Sequence, residues 1–508
     1  MNYHLLKRVT LFELKKLSNF DLLIQSIIFS LLMYIIIRAK FLSFTHDESL
    51  SYLAINSQNA WLKTANNHIL NTIFMKISEC LFGESELALR LPNIIAHALF
   101  MWMGWKILKT LYTRRILKTS STLFVIFCGF WFLNTNPFML DFFSLARGYG
   151  LSLGFLMTSV YFFIRDVCEH SVNNKWIFAF LFSSLSTIAN FNLLNYHLSI
   201  IAIMITIEFF NYRYTSYLQR LKNILRNNQI FFIINLCFIV LASCWLMFLK
   251  NRGELYYGGD NGVIKDSIDS LIRVSLYFNN YNQKMIILIR YFILFVFMGM
   301  SGITLYVATS YKKVTGALCM LIIINLNIFI VIIQHYLVQT LYPIERTALF
   351  FLPLFFLYFT LCMEETSRLF KKLTMFFIIP VLVVLCIIWS LNFFYSINFT
   401  QTYTWNYDSN TKIMMQDLYK EYMNMNNKPT SVMLGIDWLF EPTTNYYRIS
   451  RRFTWLQPTT REGYLEKKYD FYYLFENESK KLQKNQDISI INRYVMTNTI
   501  LAIQHKNK

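Results

Sequence analysis

Charge is scarce in this chain. Only 15% of its 508 residues are Asp, Glu, Lys or Arg, against roughly 25% in a typical soluble globular protein. With 55% of the residues hydrophobic, that shortage excludes an ordinary soluble fold, because most of the apolar surface has to face lipid or other buried helices. Acidic residues are scarcer than basic ones, 29 against 48, which leaves a formal charge of +19. Such an excess invites a nucleic-acid reading, and its pattern argues against one. The basic residues sit in short clusters between apolar runs, where they orient membrane helices and suit anionic lipid. Cysteine spacing excludes a second class. The eight cysteines lie mostly in or beside apolar runs and none has C-x2-C spacing, so neither a disulfide framework nor a zinc module organises the fold. A cleavable leader is also missing: the segment after Lys15-Lys16 has no small-residue cleavage site and reads as an anchor that stays. No internal repeat or low-complexity segment stands out.

What is present is a series of apolar runs of spanning length, about 20 residues each. Eleven are expected, at roughly 20–38, 91–109, 119–136, 147–164, 176–191, 194–210, 230–249, 285–307, 314–334, 347–363 and 373–397. Lys and Arg cluster around Lys7 to Lys16, Lys109 to Lys118, Arg213 to Arg226, Lys312-Lys313 and Arg368 to Lys372. With the N-terminus inside, all these loops fall on the cytoplasmic side. An odd count then puts 39–90, 137–146, 250–284, 335–346 and the C-terminus outside. The chain divides into a membrane domain, 1–399, carrying the outer loop 39–90, and a polar tail, 400–508, expected to be a small extracytoplasmic α/β domain. In that tail Ser431 to Ile436, Tyr469 to Phe475 and Val495 to Ile503 read as strands. Lys412 to Met423 reads as a helix on the spacing of Ile413, Leu418, Tyr419 and Tyr422.

The chemistry is concentrated just beyond the first apolar run, in Phe44-Thr45-His46-Asp47-Glu48-Ser49. Two adjacent carboxylates at a membrane surface are costly and point to a site. The same residues fit a capping box, with Thr45 as N-cap and Glu48 at N3, a position glutamine also fills. Asp47 and Glu48 are the expected catalytic residues, with Asp47 as the base, and a cap is compatible with this, since it fixes the turn that presents Asp47. Leu50, Leu53, Ala54 and Trp61 would form one face of the following helix, lying in the membrane interface, with Asn56 to Asn59 toward water or the site. Asn66-Asn67-His68-Ile69-Leu70-Asn71 then leads into a helix over Thr72 to Phe82, closed by Gly83 in left-handed geometry. His68 reads either as structural or as a site residue near the acidic pair. Glu84-Ser85-Glu86-Leu87-Ala88-Leu89-Arg90-Leu91-Pro92 enters the second run.

This order resembles the GT-C superfamily of membrane glycosyltransferases, close to its protein O-mannosyltransferase-like and aminoarabinose-transferase-like branches. The resemblance rests on an Asp-Glu pair after the first helix, then a His-led helix, then Leu-Arg-Leu-Pro into the second. Those enzymes carry a His-Pro-Pro-Leu segment where this chain has His68-Ile69-Leu70 without prolines. Ser144-Leu145-Ala146-Arg147-Gly148-Tyr149-Gly150 is similar to the family's Ala-Arg-x-Tyr segment. Tyr342-Pro343-Ile344-Glu345-Arg346 is similar to its Pro-x-Arg-Tyr stretch. The resemblance covers about residues 20–360.

The resemblance implies a polytopic α-helical membrane enzyme, in a bacterial inner (plasma) membrane, with its active site on the outer side. The donor it implies is a sugar on a polyprenyl phosphate. The acceptor is a glycan, a lipid or a protein, and no nucleic acid takes part. Displacement at an anomeric carbon needs a base for the acceptor hydroxyl, which Asp47 can be. It also needs cations for the departing phosphate, which Arg147 and Arg346 can supply bidentately; snorkelling at the membrane surface is the other reading of both arginines. Asp141 is either a second acidic group of the site or the partner of Arg147. Tyr149 and His68 are expected among the substrate-binding residues. The loop around Gly253, Gly258, Gly259 and Gly262 reads as a lid over the site or as a plain loop. No cofactor is required. A divalent metal is possible, although the spacing of His46, Asp47, Glu48 and His68 is not diagnostic. A transporter or flippase for a lipid-linked sugar is the rival class, and it predicts ionisable residues near mid-bilayer.

Overall fold

The computed structural model describes residues 3–55, 64, 66–113, 120–169, 176–211, 219, 229–279, 281–311, 314–465, 467–482 and 488–505. Basic clusters that orient the helices, among them Arg114, Arg115, Lys118, Arg213, Arg220, Lys222, Arg226, Lys312 and Lys313, lie outside the described residues, as do Asn56 to Asn59 and Trp61.

Among the described residues seven helices are long and apolar enough to cross a membrane: Ser18–Phe41, Glu86–Thr110, Gly148–Val167, Phe232–Asn251, Gln283–Tyr311, Gly316–Val338 and Lys371–Ser396. An eighth arises if Ser121–Asn134 and Pro137–Phe143 count as one span bent by 59°. The bend has a local cause. Proline disfavours helical geometry in the residue before it, and the Asn136 side chain starts the second piece by accepting from the Met139 N–H at 3.0 Å. Three other expected spans are shorter or more polar. Ile177–Ala189 and Phe191–Ile207 are short apolar helices, turned at Asn190, whose side chain accepts from the Asn192 N–H. Phe351–Leu369 ends in Glu364, Glu365 and Arg368.

The chain forms two compact units. The first comprises Met1–Ile35, Asn93–Phe143 and Gly148–Ile397, and is built from the spanning helices. Its outward faces are apolar: Phe295, Leu241 and Tyr395 are among its most exposed side chains. Close backbone approach holds it together at the start of Gly148–Glu169. A Cβ on Gly150 would stand 2.3 Å from the Phe142 carbonyl oxygen, so only glycine fits there. Asn93, fully buried, accepts the Leu151 N–H at 2.9 Å.

The second unit comprises Ile36–Pro92, Ser144–Arg147 and Asn398–Lys508. It therefore combines the first loop with the polar tail. One hydrophobic core serves both: Phe44, Tyr52, Met75, Leu89 and Ala146 pack in a cluster with Met414, Leu418, Leu434, Phe440, Tyr446, Tyr447 and Phe471. The tail folds around a four-stranded sheet of order β1-β2-β4-β3, with β1 Leu434–Ile436, β2 Phe471–Phe475, β3 Ile488–Tyr494 and β4 Thr499–Gln504. β1 pairs parallel with β2, and β4 pairs antiparallel with both β2 and β3.

Local differences from the sequence reading have physical reasons. The expected strand over Val495 to Ile503 forms from Thr499 onward as β4, and Val495 to Asn498 is the turn that joins it to β3. Asn498 takes a positive φ of 51° in the turn, and β3 precedes it with Ser, Asn and Arg along its length, which gave no apolar alternation. The helix Thr411–Asn424 buries Met414, Met415 and Leu418, while Ile413 and Tyr419 are exposed. The helix His46–Ile55 buries His46, Asp47, Glu48, Ser49, Ser51 and Tyr52, so its inner face is largely polar and Leu50, Leu53 and Ala54 are only half-buried. Gly83 closes Ile69–Phe82 with φ 84° and ψ −171°. This is not the left-handed helical cap expected, but an extended positive-φ conformation that is essentially reserved for glycine.

Candidate active site

The second unit gathers the acidic pair, the following Asn-rich segment and Arg147. The first helix ends at Phe41, and its last carbonyls lack intrahelical partners. Arg90 supplies one of them and two carbonyls just beyond the helix end. Its Nη1 donates to the Ala39 and Leu42 carbonyls at 2.8 and 3.0 Å, and its Nη2 to the Ser43 carbonyl at 2.8 Å. The remaining N–H groups of Arg90 grip Glu48, Nε to Oε1 at 2.8 Å and Nη2 to Oε2 at 2.7 Å. Both side chains are fully buried. Glu48 accepts further from the Thr45 N–H at 2.9 Å, the Thr45 hydroxyl at 3.0 Å and the Ala146 N–H at 2.6 Å. A carboxylate has about four lone-pair sites, so Glu48 is saturated by the protein. Half of the expected capping box forms, the arm from Glu48 back to the Thr45 N–H. The Thr45 hydroxyl donates to Glu48 and does not cap the helix.

Asp47 is held differently. The Asn66 side-chain amide donates to its Oδ1 at 3.0 Å, and the Arg147 Nη2 lies 3.3 Å from its Oδ2. Arg147 also donates to the Asp47 carbonyl and the Ser51 hydroxyl, each at 3.2 Å, and to the Asn66 carbonyl and side-chain oxygen at 2.9 and 2.7 Å. Arg147 is fully buried. Burial of this kind is not snorkelling at a membrane surface, and it places the Arg147 guanidinium against Asp47 as its countercharge. Asn71 completes the frame by donating to the Ala146 carbonyl at 2.8 Å. His68 stands at the N-cap of Ile69–Phe82 in extended geometry, where its side chain makes no capping bond.

The tail contributes to the same loop. The His46 N–H donates to Asp408 Oδ2 at 2.7 Å, the His46 Nδ1–H donates to the Leu439 carbonyl at 2.7 Å, and the Phe44 N–H donates to the Tyr447 hydroxyl at 2.8 Å. Burial pushes the Asp408 carboxyl well above the usual carboxylate range, against the opposing His46 N–H bond, and the Asp47 charge adds to the rise. Arg90, Asn66, Asn71, Asp408 and Tyr447 do not stand out from sequence as site residues. Arg90 and the two asparagines lie in motif-bearing segments of the first loop, whereas nothing in the tail's composition marks Asp408.

The remaining candidates lie in the first unit. Asp141 is buried and accepts both bonds of the Tyr277 hydroxyl, at 2.7 and 3.0 Å. Tyr149 is buried with its ring 4.9 Å from that of Phe142. Arg346 lies over the Tyr257 ring at 4.6 Å. The Tyr257 hydroxyl donates to Glu345 at 2.6 Å, and burial, then the Glu345 charge, raise its pKa. The glycine-rich loop is tied to this corner. Gly259 and Tyr342 exchange backbone bonds at 3.0 and 2.8 Å, and the Ser267 hydroxyl donates to the Pro343 carbonyl at 2.6 Å. Among the described residues no group of three or more His, Cys, Asp or Glu side chains is arranged to hold a metal ion.

Comparison with solved structures shows the fold. The chain has an ArnT-like fold. It is similar over 96% of its length to ArnT from Cupriavidus metallidurans bound to undecaprenyl phosphate, with a TM-score of 0.55, 9% identity and 98% of that chain covered. It is also similar to ArnT from Cupriavidus metallidurans in the apo state, with a TM-score of 0.52, 7% identity and the same 96% and 98% coverage. No family model and no curated protein matches the sequence. With its apolar helices, this fold makes the chain an integral membrane protein.

The saturated ion pair yields a prediction. The cap alone would tolerate glutamine at position 48, but glutamine leaves Arg90 as an uncompensated buried charge. Glu48→Gln and Arg90→Met are each expected to cost about 3–5 kcal/mol, read as a large fall in melting temperature in detergent. Unchanged melting of either variant would show that the pair does not anchor the loop.

Proposed function

We propose that the protein is an inverting glycosyltransferase that moves a sugar from a polyprenyl-phosphate donor to an acceptor hydroxyl on the outer face of a bacterial inner membrane. One observation carries the reading: Asp47 stands buried in the first turn of a helix with Asn66 on one carboxylate oxygen and Arg147 on the other. The ArnT-like fold supports it, as does the undecaprenyl phosphate bound by that neighbour.

In the proposed reaction Asp47 takes the proton of the acceptor hydroxyl as the new bond to the anomeric carbon forms. The bond from that carbon to the phosphate oxygen breaks, and the electron pair leaves with polyprenyl phosphate. A phosphate leaving group needs no proton, so one carboxylate suffices and the anomeric configuration inverts. Glycosidases differ in pairing two carboxyl groups. Glu48 holds the turn. Arg147 keeps Asp47 aimed by its contacts to the Asp47 carbonyl, Ser51 and Asn66. Arg346 is carried as the phosphate-binding residue, with Tyr257 beneath its guanidinium. Asp141, Tyr149 and His68 remain the further substrate-binding candidates. The reaction as proposed needs no resident metal or cofactor, and the acceptor is a glycan, lipid or protein.

The test is sugar transfer in membranes containing matched amounts of each variant, with labelled polyprenyl-phosphate sugars as donors. Asp47→Asn keeps the shape and loses the proton acceptor, so turnover should fall about 10²–10⁴-fold. Arg346→Ala should raise the barrier by roughly 3–4 kcal/mol, the scale of a lost contact to a developing anion. Wild-type turnover by Asp47→Asn would sink the base assignment, and movement of the lipid-linked sugar across the bilayer without transfer would favour the flippase reading.

The eleven-span arrangement with the tail outside is part of this proposal. A reporter that works only in the cytoplasm, fused after Lys508, should be inactive; an active fusion would reverse the sidedness.

A further inference from the structure

The catalytic turn is short of local partners. Residues 44 to 46 present three successive backbone N–H groups at the start of a helix, where donors have no intrahelical acceptor. Glu48 takes one of them, that of Thr45. The other two are taken by residues from the far end of the chain: Phe44 donates to Tyr447, 403 positions away, and His46 donates to Asp408, 362 positions away. The His46 ring adds a third tie, to the Leu439 carbonyl 393 positions away. These three ties flank Asp47 on its N-terminal side, while Arg147 and Asn66 hold its side chain.

We propose that the C-terminal segment is a positioning element for the catalytic turn, with Asp408 as the positioning residue that sets the backbone of His46 and hence the aim of Asp47. The proposal rests on the reading of Asp47 as the base. It gives a task in the reaction to a region that otherwise looks like an appended domain. The choice of an acid at 408 is what favours this role over packing alone. Asp408 is almost completely buried, and a buried acid close to another acid is a poor stabiliser. What the site requires is an acceptor in one place. Asp408 provides it from the single turn Asn406–Asp408, with the Thr411 hydroxyl donating to its other oxygen at 3.4 Å. Because burial favours the neutral acid, asparagine is a close mimic: its side-chain carbonyl can accept the same His46 N–H.

The full-length protein tests this by two readouts. The first is steady-state transfer from a labelled polyprenyl-phosphate sugar. The second is deuterium uptake at the amides of 44–52, which is independent of turnover. Asp408→Ala should lower kcat about 10–100-fold, the scale of a misaimed catalytic group, with the donor KM little changed. Its uptake at 44–52 should rise while that of β2 stays as in wild type. Asp408→Asn should restore both readouts nearly to wild type. Tyr447→Phe removes the acceptor for Phe44 and keeps the ring, so it should raise uptake at the same turn with a smaller loss of kcat, and it carries the test if Asp408→Ala does not fold. Wild-type kcat and uptake in Asp408→Ala, or in Tyr447→Phe where the alanine variant does not fold, would overturn the proposal. So would an Asp408→Asn variant as impaired as the alanine. If Asp47→Asn is fully active, the base reading fails on that result alone, and the uptake data still report whether the tail orders the turn.

Discussion

A single buried ion pair, Arg90 with Glu48, underlies the second unit. Neither side chain touches solvent, and two charges taken out of water are stabilising only when every donor and acceptor is used. That condition is met. Arg90 divides its N–H groups between Glu48 and the carbonyls of Ala39, Leu42 and Ser43, at and just beyond the end of the first helix. Glu48 collects the N–H groups of Thr45 and Ala146 on its remaining lone pairs. Three separate stretches, 39–48, 90 and 146, are thereby fixed to one point.

Asp47 inherits its position from that point. Its neighbour Glu48 is fully hydrogen-bonded, Arg147 follows Ala146 in sequence, and the two arms of Arg147 embrace the Asp47 carbonyl and Asn66. The adjacent carboxylates thus divide the labour. One is consumed by structure, and the other has one oxygen facing Asn66 and one facing Arg147. Groups fixed before substrate arrives need little reorganisation during reaction, which is the condition under which electrostatic and proton-transfer catalysis is effective. Burial of so many polar side chains in one turn is costly for stability unless each is hydrogen-bonded.

Much of this was legible in the sequence. The apolar runs, the acidic pair at the end of the first, and the order of Asp47, His68, Arg147 and Arg346 along the chain pointed to a polytopic fold of the aminoarabinose-transferase kind, and the structure is similar in fold to ArnT. Periodicity failed where polar groups replace apolar ones as packing. The helix His46–Ile55 buries its acids and serines, so its leucines gave the wrong inner face. β3 carries Asn492 and Arg493 and showed no alternation. Pairings over long separations were also invisible: Arg90 finds Glu48 from 42 positions away, and Asp408 finds His46 from 362. A motif such as Leu-Arg-Leu-Pro marks the residue but cannot name its partner, and a lone Asp in a polar tail marks nothing.

The proposed reaction is a single displacement assisted by one carboxylate. The measurement that bears on it most directly is the anomeric configuration of the transferred sugar, read by nuclear magnetic resonance against that of the polyprenyl-phosphate donor. Inversion is the expected result. Retention would point to a double displacement through a glycosyl–enzyme intermediate, and would contradict the role of Asp47 as the base of a one-step transfer.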